Sequence, residues 1–424
     1  MKLYRPKNVT RKQQAIITLI FQFRGLIYDQ LIDELSYRFA GGPPTFSFRK
    51  NTYKDLQKLE DMDMIERAPI KLSRTKDLIS LTEAGLEYAK ELLGILPGHV
   101  GSGWGNDWGD FPIELQRPPR PSSPAIYHHL ALTDVLLQLE RIKSENPQWS
   151  VDYRDNRYAS ERFDLDGVTY RIKPDGDILV SGRRILLEVD RGTEFADKLR
   201  EKFQGYKRYL EFKEWGGRRP IGVLFVCNKE TALGFQKRWT LISKIFWEEL
   251  SEWRTRFNLI AINGTGDLQK VIVRQLERQQ RFDEFWQRAI RLQTERTTFG
   301  TIQNPQEIEW ATDPHVAISR GHPEHRLFIF ERVEQYETIG LARLFRLFEW
   351  FNSIKGKYSD LAKVQHIIPI CVNIDSKPFP LTFPGFEQEG KLKAIFRRAL
   401  WANVRDKIVW TDQNCARISS LEDW

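Results

Sequence analysis

The feature that most constrains the fold of this chain is a pair of short apolar segments near its middle that carry carboxylates. Asp175 and Asp177 begin the first segment, and Glu188 and Asp190 end the second. Both segments are rich in Ile, Leu and Val, which favour β-strands. Because an unpaired charge is costly to bury, acids within such runs indicate either a built polar site or solvated strand ends. A basic helix carrying Lys202 is predicted to follow directly.

The residues between the two segments, 181–184, predict a tight turn, so that the segments form a hairpin. Side chains alternate along a strand, which puts Glu188 and Asp190 on one face. Asp175 and Asp177 likewise share a face of their strand. If the register brings the two faces together, three or four carboxylates meet, and such oxygen ligands suit Mg²⁺ or Mn²⁺ beside a phosphodiester. Lys202 would offset the charge of the transition state. The predicted catalytic residues therefore include Asp175, Glu188 and Asp190, as metal ligands, and Lys202.

Several motifs in this region resemble those of a known family. They are His128-His129-Leu130-Ala131-Leu132-Thr133-Asp134, Pro174-Asp175, Leu187-Glu188-Val189-Asp190-Arg191-Gly192-Thr193-Glu194, and Lys202 with Tyr206. Over roughly residues 10–260 the chain resembles the replication-relaxation family of plasmid and mobile-element proteins. The resemblance implies an N-terminal winged helix. It also implies that His128 assists metal or phosphate binding in the catalytic site, the alternative being a histidine that caps or packs at the start of a helix.

The predicted order helix–strand–strand–strand–helix–strand in residues 125–264 also resembles the PD-(D/E)xK core of restriction endonucleases. Asp175 and Glu188 would take the acidic positions of that motif. The position of its lysine is occupied by Asp190, so Lys202 on the next helix would supply the amine. The three strands are expected at 149–158, 170–181 and 184–190.

Residues 1–96 predict three helices followed by a two-stranded wing, which together form a winged helix-turn-helix. The third helix, about residues 48–61, has Tyr53, Leu56 and Leu59 facing inward and would lie in a DNA major groove. The alternative is a winged helix that serves protein contacts or dimerisation. The predicted DNA-binding residues are Arg49, Lys50, Asn51, Lys54 and Lys58 on the third helix, with Arg74 and Lys76 on the wing.

The rest of the chain predicts a linker and a further domain. Residues 97–124 are rich in Gly and Pro, cannot build a core and indicate a linker. Residues 265–424 predict an α/β domain in which the segment after Asp313 echoes the segment after Asp175, with His315 in place of the second aspartate. We interpret this domain as a decayed second copy of the nuclease-like core, the alternative being chance similarity. The predicted fold class is thus a multidomain chain of the α+β / α/β type.

Composition restricts the partners and the compartment. The net charge of +8 favours an anionic partner such as DNA. The 3 cysteines are far apart, which is typical of proteins in a reducing cytoplasm and predicts no disulfide framework. The apolar stretch at residues 15–23 is too short to cross a bilayer, so no membrane association is expected.

Two functions follow from these patterns. One is a DNA-binding protein of plasmid or mobile-element replication or transfer that has a metal-dependent endonuclease-like site. The alternative is a non-catalytic DNA-binding regulator or replication accessory protein that uses a nuclease-like scaffold. A relaxase with a tyrosine nucleophile is disfavoured, because the 7 histidines lack the paired spacing of such metal sites. Expected partners are DNA, a second copy of the chain, and replication or transfer proteins.

Overall fold

The computed structural model divides the chain into two compact units. The first unit comprises Met1–Ala159 with Asp175–Asp177, and the second comprises Ser160–Pro174 with Ile178–Trp424. The chain is a mixed α+β protein with several sheets, as predicted. The described residues are 9–70, 76–107 apart from 97 and 106, 118, 120–192, 194–212, 219–229, 231–277, 299–301, 316–319, 325–373 apart from 355 and 358, 399–403, and 409–418 apart from 413 and 415.

The first unit begins with helices and a small antiparallel sheet. Thr10 caps the first helix in a capping box with Gln13, which satisfies backbone donors at the helix start. The first strand was not predicted from the sequence; it pairs with the third strand and gives the order β1-β3-β2. The elements are α1 (Arg11–Phe23), β1 (Leu26–Ile27), α2 (Tyr28–Ala40), α3 (Phe46–Asp61), β2 (Ile65–Pro69), β3 (Asp77–Leu81) and α4 (Glu83–Leu93).

One side chain of α3 faces the opposite way from the prediction. Tyr53 is 44% exposed, whereas Thr52, Leu56 and Leu59 are fully buried. The buried positions are separated by four and three residues, which is the spacing of one helix face. The inward position of this turn is therefore taken by a small hydroxyl residue. The aromatic ring of Tyr53 is left on the surface beside Tyr28, with their centroids 6.5 Å apart.

The first unit continues with a long helix that packs on α2. Its elements are α5 (Ile126–Glu145), β4 (Val151–Asp155) and the single turn α6 (Asn156–Ala159). The Gln30 side-chain amide donates to the Leu130 carbonyl at 3.0 Å and to the Asp134 carboxylate at 2.7 Å. Arg141 also pairs with the buried Glu34 of α2 at 3.0 Å. The strand expected at 149–158 is shorter than predicted, because residues 156–159 form the helical turn.

The second unit is built around parallel strands joined by helices. Strands β8, β9 and β10 are adjacent and parallel, and α7 and α8 make the crossovers between them. The second half of β7 lies next to β8, and the two-residue turn between them has positive φ at Ser181 and Gly182. This confirms the predicted hairpin. The elements are β5 (Glu161–Leu165), β6 (Val168–Ile172), β7 (Gly176–Val180), β8 (Arg183–Asp190), α7 (Ala196–Glu211), β9 (Pro220–Cys227), α8 (Ala232–Glu249) and β10 (Asn258–Asn263).

The prediction of a single strand at 170–181 was wrong. The structure splits it into β6 and β7, with residues 173–175 between them in neither strand. Pro174 explains the break, because proline has no backbone N–H to donate to a ladder. β6 instead pairs with β5 in a separate two-stranded sheet that the sequence did not suggest.

The C-terminal part of the second unit repeats the order of the central strands. Strands β12 and β13 are antiparallel, and β14 returns parallel to β13 after a helix, α10. Asp313 and His315, on which the predicted echo rests, lie outside the described residues. The elements are α9 (Leu268–Leu276), β11 (Phe299–Thr301), β12 (Val316–Ser319), β13 (His325–Arg332), α10 (Ile339–Ile354), α11 (Ser359–Ala362), β14 (Val364–Asn373), β15 (Leu400–Asn403), β16 (Val409–Thr411) and β17 (Arg417–Ile418). Among the described helices, none is both long and apolar enough to pass through a bilayer.

Candidate functional site

The first unit exposes a basic face on α3. Lys50, Lys54 and Lys58 follow one another at intervals of four residues, so they lie along one side of the helix. All three are exposed, and Asn51 beside them is exposed as well. Lys76, at the start of the segment that leads into β3, is also exposed. These side chains together form a positively charged surface that is open to a large anionic partner.

Arg49 differs from its basic neighbours because it lies near acids of α2. Its guanidinium is 3.9 Å from Asp29 and 3.8 Å from Asp33, and both of these acids are well exposed. Solvent-exposed pairs at such distances contribute little to stability, so Arg49 can exchange them for another anion. Arg74, the other arginine predicted to contact DNA, lies outside the described residues.

Two of the acids predicted for the catalytic region belong to the first unit, and each contacts a basic side chain there. Asp175 is 2.8 Å from Nε2 of His128, so this carboxylate orients the imidazole. Asp177 is fully buried and accepts a hydrogen bond from Nε of Arg154 at 2.7 Å. The ring of Trp104 stacks on the guanidinium of Arg154 at 4.6 Å. The structure therefore brings His128 and Asp175 together, as a hydrogen-bonded pair.

In the second unit, the buried Glu188 lies at the centre of a partly buried polar group. Its side chain is 2% exposed; one carboxylate oxygen accepts a hydrogen bond from the Tyr206 hydroxyl, and the other is 2.7 Å from Nζ of Lys202. Lys202 also contacts the Glu194 carboxylate, at 3.1 Å. Lys202 and Tyr206 are four residues apart on α7, and this spacing directs both toward the strand. The arrangement joins Glu188 and Lys202 as the sequence predicted.

Asp190 faces a different partner on the next helix. Its carboxylate accepts two hydrogen bonds from the Arg238 guanidinium, of which Nη2 to Oδ1 measures 3.0 Å. The Gly192 backbone N–H donates to the same Oδ1 at 2.7 Å, which is possible because Gly192 adopts a φ of 73°. Arg238 also donates to the Glu194 carbonyl at 2.8 Å. The pair therefore fastens the turn between β8 and α7.

Arg238 is the partner of Asp190 that the sequence interpretation missed. It is 7% exposed, and its neighbour Trp239 is buried together with Phe235 and Ile242. Positions separated by three or four residues form the apolar stripe of a helix, so an arginine within such a stripe signals a buried anionic partner. The sequence could therefore have indicated that Arg238 has a buried anionic partner. It could not have identified that partner, because Asp190 lies 48 residues away.

The carboxylates of Glu188 and Asp190 already accept hydrogen bonds from protein groups. Both oxygens of Glu188 and both oxygens of Asp190 accept hydrogen bonds from protein donors. Among the described residues, no group of His, Cys, Asp and Glu side chains is arranged to hold a metal ion. A divalent cation at Glu188 or Asp190 would therefore have to compete with Lys202 and Arg238, so the residues in this arrangement do not fit a resident metal.

The comparisons with known proteins give one family match. Residues 39–223 match the model of the replication-relaxation family. This match runs from the end of α2 into β9, and it supports the family resemblance predicted from the motifs of the chain. A comparison with curated protein sequences gave no match.

One solved structure shows a distant likeness, the crystal structure of protein VC1899 from Vibrio cholerae. The TM-score is 0.26 and the sequence identity is 11%; the alignment covers 64% of this chain and 57% of that structure, so the chain spans little more than half of its length. A likeness at this level does not indicate a shared fold.

Proposed function

We propose that this chain is a DNA-binding protein of plasmid or mobile-element replication or transfer, and that it docks on DNA through α3. The observation that carries the proposal is the row of exposed lysines on one face of that helix. A polyanion such as DNA is bound chiefly through such cations, and the net charge of +8 acts in the same direction. The match of residues 39–223 to the replication-relaxation family supports the biological setting.

In this proposal residues 1–96 act as a winged helix-turn-helix, followed by a linker at 97–124. Helix α3 enters the major groove while the hairpin of β2 and β3 approaches the phosphates. The lysines of α3 contact the DNA backbone and set the register. Arg49 and Asn51 are the side chains able to read base edges, because they can pair with guanine and adenine respectively.

We further propose that the nuclease-like part, residues 125–264, is a scaffold and that the chain is a regulator or replication accessory protein. The buried pairing of Asp190 with Arg238 supports this reading, because a carboxylate held in this way stabilises a turn and is not open to a cation. The C-terminal part, residues 265–424, is then a decayed second copy that offers surface to another copy of the chain or to replication and transfer proteins. The predicted catalytic roles of Asp175 and His128 stay predictions.

The first prediction concerns the salt dependence of DNA binding. Replacing Lys54 and Lys58 together with alanine should weaken binding to duplex DNA of any sequence. It should also make the slope of log Kobs against log salt concentration less steep by about 2, because each lost phosphate contact removes about one released counterion. Fluorescence anisotropy titrations at several salt concentrations measure both quantities.

The matched control for this prediction removes two exposed lysines from helices of the second unit. The variant Lys198→Ala with Lys244→Ala has the same net charge as the test variant, and both of these lysines are exposed. The control should bind DNA with the slope of the wild-type protein. Equal slopes in the test variant and the wild-type protein would mean that DNA docks elsewhere than on α3.

A second candidate function is a DNA endonuclease that depends on Mg²⁺ or Mn²⁺. The observation that favours it is the partly buried contact between Glu188 and Lys202, since a carboxylate and an amine at 2.7 Å are groups that phosphodiester hydrolysis can use. In the arrangement seen here, such a site would require Lys202 to release Glu188 before an ion could bind.

Cleavage assays separate the two functions. The scaffold proposal predicts that the wild-type protein, like the Glu188→Gln variant, does not cleave supercoiled plasmid or single-stranded DNA in the presence of Mg²⁺ or Mn²⁺. The substitution keeps the size of the side chain and removes its charge, so binding to DNA through α3 should not change. Cleavage by the wild-type protein that disappears both with Glu188→Gln and with EDTA would establish the endonuclease and overturn the scaffold proposal.

A further inference from the structure

The first unit contains a groove beside the basic face of α3, between that helix, the start of α2 and the hairpin of β2 and β3. Its volume is about 640 Å³. The buried side chains of Ile27, Leu56 and Ile79 contribute to its lining and make its floor apolar. A phosphate group requires hydrogen-bond donors around it, so an apolar floor suits an uncharged, flat group better than a phosphate.

Aromatic side chains line the same groove and are accessible from it. Tyr53 is 44% exposed and Phe46, at the start of α3, is 83% exposed. The Arg67 guanidinium stacks over the Tyr53 ring at 5.2 Å and is itself paired with Glu60, which keeps the ring in place. Exposed aromatic rings in a groove provide surfaces on which nucleobases stack.

The charges around the groove select an anionic chain. Cations in the lining outnumber carboxylates: they are Arg49, Lys50, Lys54, Arg67 and Lys76, against Asp29 and Asp77. Lys50 and Lys54 also belong to the basic face of α3, so the groove and that face form one continuous surface. Aromatic rings together with flanking lysines are the combination that binds single-stranded nucleic acid, where bases stack and phosphates meet cations.

We propose that this groove receives an unpaired base of the bound DNA, stacked on Tyr53, with the neighbouring phosphates on Lys50 and Lys54. The inference rests on the proposed docking of α3 on DNA and specifies its substrate class: DNA in which a duplex adjoins a single-stranded stretch. In a closed duplex the bases are stacked on each other and cannot enter the groove, so only the lysine contacts form. The protein therefore prefers forked DNA over a blunt duplex of the same sequence.

Binding measurements with the full chain test the preference. Fluorescence anisotropy should show that Tyr53→Ala weakens binding to a forked duplex about tenfold and leaves binding to the blunt duplex unchanged, because one stacked base is lost. Tyr53→Phe keeps the ring and should bind both DNAs as the wild-type protein does. The control Phe195→Ala removes a phenylalanine that is 80% exposed in the second unit, and it should have no effect.

A fluorescent base reports the stacking directly. With 2-aminopurine at the unpaired position next to the fork, the wild-type protein should quench the fluorescence on binding, and saturating Tyr53→Ala should not. The proposal would be overturned if Tyr53→Ala weakened binding to the forked and the blunt duplex equally, or weakened binding to neither. It would also be overturned if the Tyr53→Ala variant still quenched the fluorescence.

The proposed function fails in a different way from this inference. If Lys54→Ala with Lys58→Ala leaves binding to the blunt duplex unchanged, α3 does not dock on duplex DNA. If that variant weakens both DNAs while Tyr53→Ala has no selective effect on the fork, α3 docks on DNA and the groove does not take a base. Circular dichroism of each variant shows whether its helices are intact.

Discussion

Replacing Arg238 with methionine should lower the free energy of unfolding by about 3–5 kcal/mol, because the substitution leaves a buried charge without its partner. Asp190 is 2% exposed, and within the part of the chain that the structure describes its contacts with a cation are the two hydrogen bonds from the Arg238 guanidinium. The methionine side chain fills much of the same space, so the loss would come from the charge and not from a cavity. Urea unfolding followed by circular dichroism measures the change.

Two further variants make this test specific. Lys237→Met removes the exposed cation next in sequence and should change the free energy of unfolding by less than about 0.5 kcal/mol. The double variant Asp190→Asn with Arg238→Met removes both charges of the pair, and the amide oxygen of the new asparagine can still accept the hydrogen bond from the Gly192 N–H. The double variant should therefore recover a large part of the free energy of unfolding that Arg238→Met alone loses. If Arg238→Met were no less stable than Lys237→Met, the pair would not anchor the turn.

Acidification between pH 6.5 and pH 4 should destabilise the first unit through His129. This residue is buried, its Nε2 donates to the Gly25 carbonyl at 3.1 Å, and its Nδ1 has no hydrogen-bond partner among the described residues. Burial lowers the pKa of His129 to about 4, and the positive charge of Arg24 acts in the same direction. The folded unit therefore holds this imidazole in its neutral form at neutral pH.

The direction of the pH effect follows from the two states. Above pH 6.5 the histidine is neutral in the folded and in the unfolded chain, so it contributes no dependence on pH. As the pH falls below 6.5 the unfolded chain binds a proton and the folded unit does not, which favours unfolding. The loss should reach about 2 kcal/mol at pH 5 and about 3 kcal/mol at pH 4, at about 1.4 kcal/mol for each pKa unit.

Hydrogen exchange of helix Ile126–Glu145 at pH values between 7 and 4 measures this loss once the intrinsic exchange rates are taken into account. The variant His129→Gln can still donate to the Gly25 carbonyl but does not titrate, so its stability should depend less on pH over this range. His99→Gln, which changes a half-exposed histidine of the same unit, should behave as the wild-type protein does. A wild-type protein and a His129→Gln variant with the same pH dependence would show that His129 is not the source.

Local patterns predicted much of the fold. The periodicity of apolar residues predicted the third helix at about residues 48–61, and the structure has it at Phe46–Asp61, within the usual uncertainty of helix boundaries. The sequence predicted a tight turn at 181–184; the structure confines the turn to Ser181 and Gly182, both with positive φ, and the next two residues already belong to β8. Glu188 and Lys202 were also expected in one site because the resemblance to the PD-(D/E)xK core requires an amine beside its acids, and the structure has them 2.7 Å apart.

Other features could not be predicted from such patterns. Strand β1 has two residues, which is too short for any alternation to be visible, and it forms only because β3 lies beside it. The long helix α5 was expected to begin the nuclease-like part, yet the first unit contains it; Gln30 and Glu34 of α2 bind its polar side chains. Tyr53 was predicted to face inward together with Leu56 and Leu59, but Thr52 takes that inward position.

By itself, the sequence determined the helices of the first unit, the β7–β8 hairpin and the acids that these two strands carry, because those properties depend on neighbours within a few residues. It also determined the charge of the chain and the row of lysines on α3. Only the tertiary structure decided which partner each acid meets: Asp190 is held by Arg238, and Glu188 by Lys202 and Tyr206. The packing of helices on the sheet decides which side chains become partners. These partners can be far apart in the sequence, so a local periodicity cannot predict them.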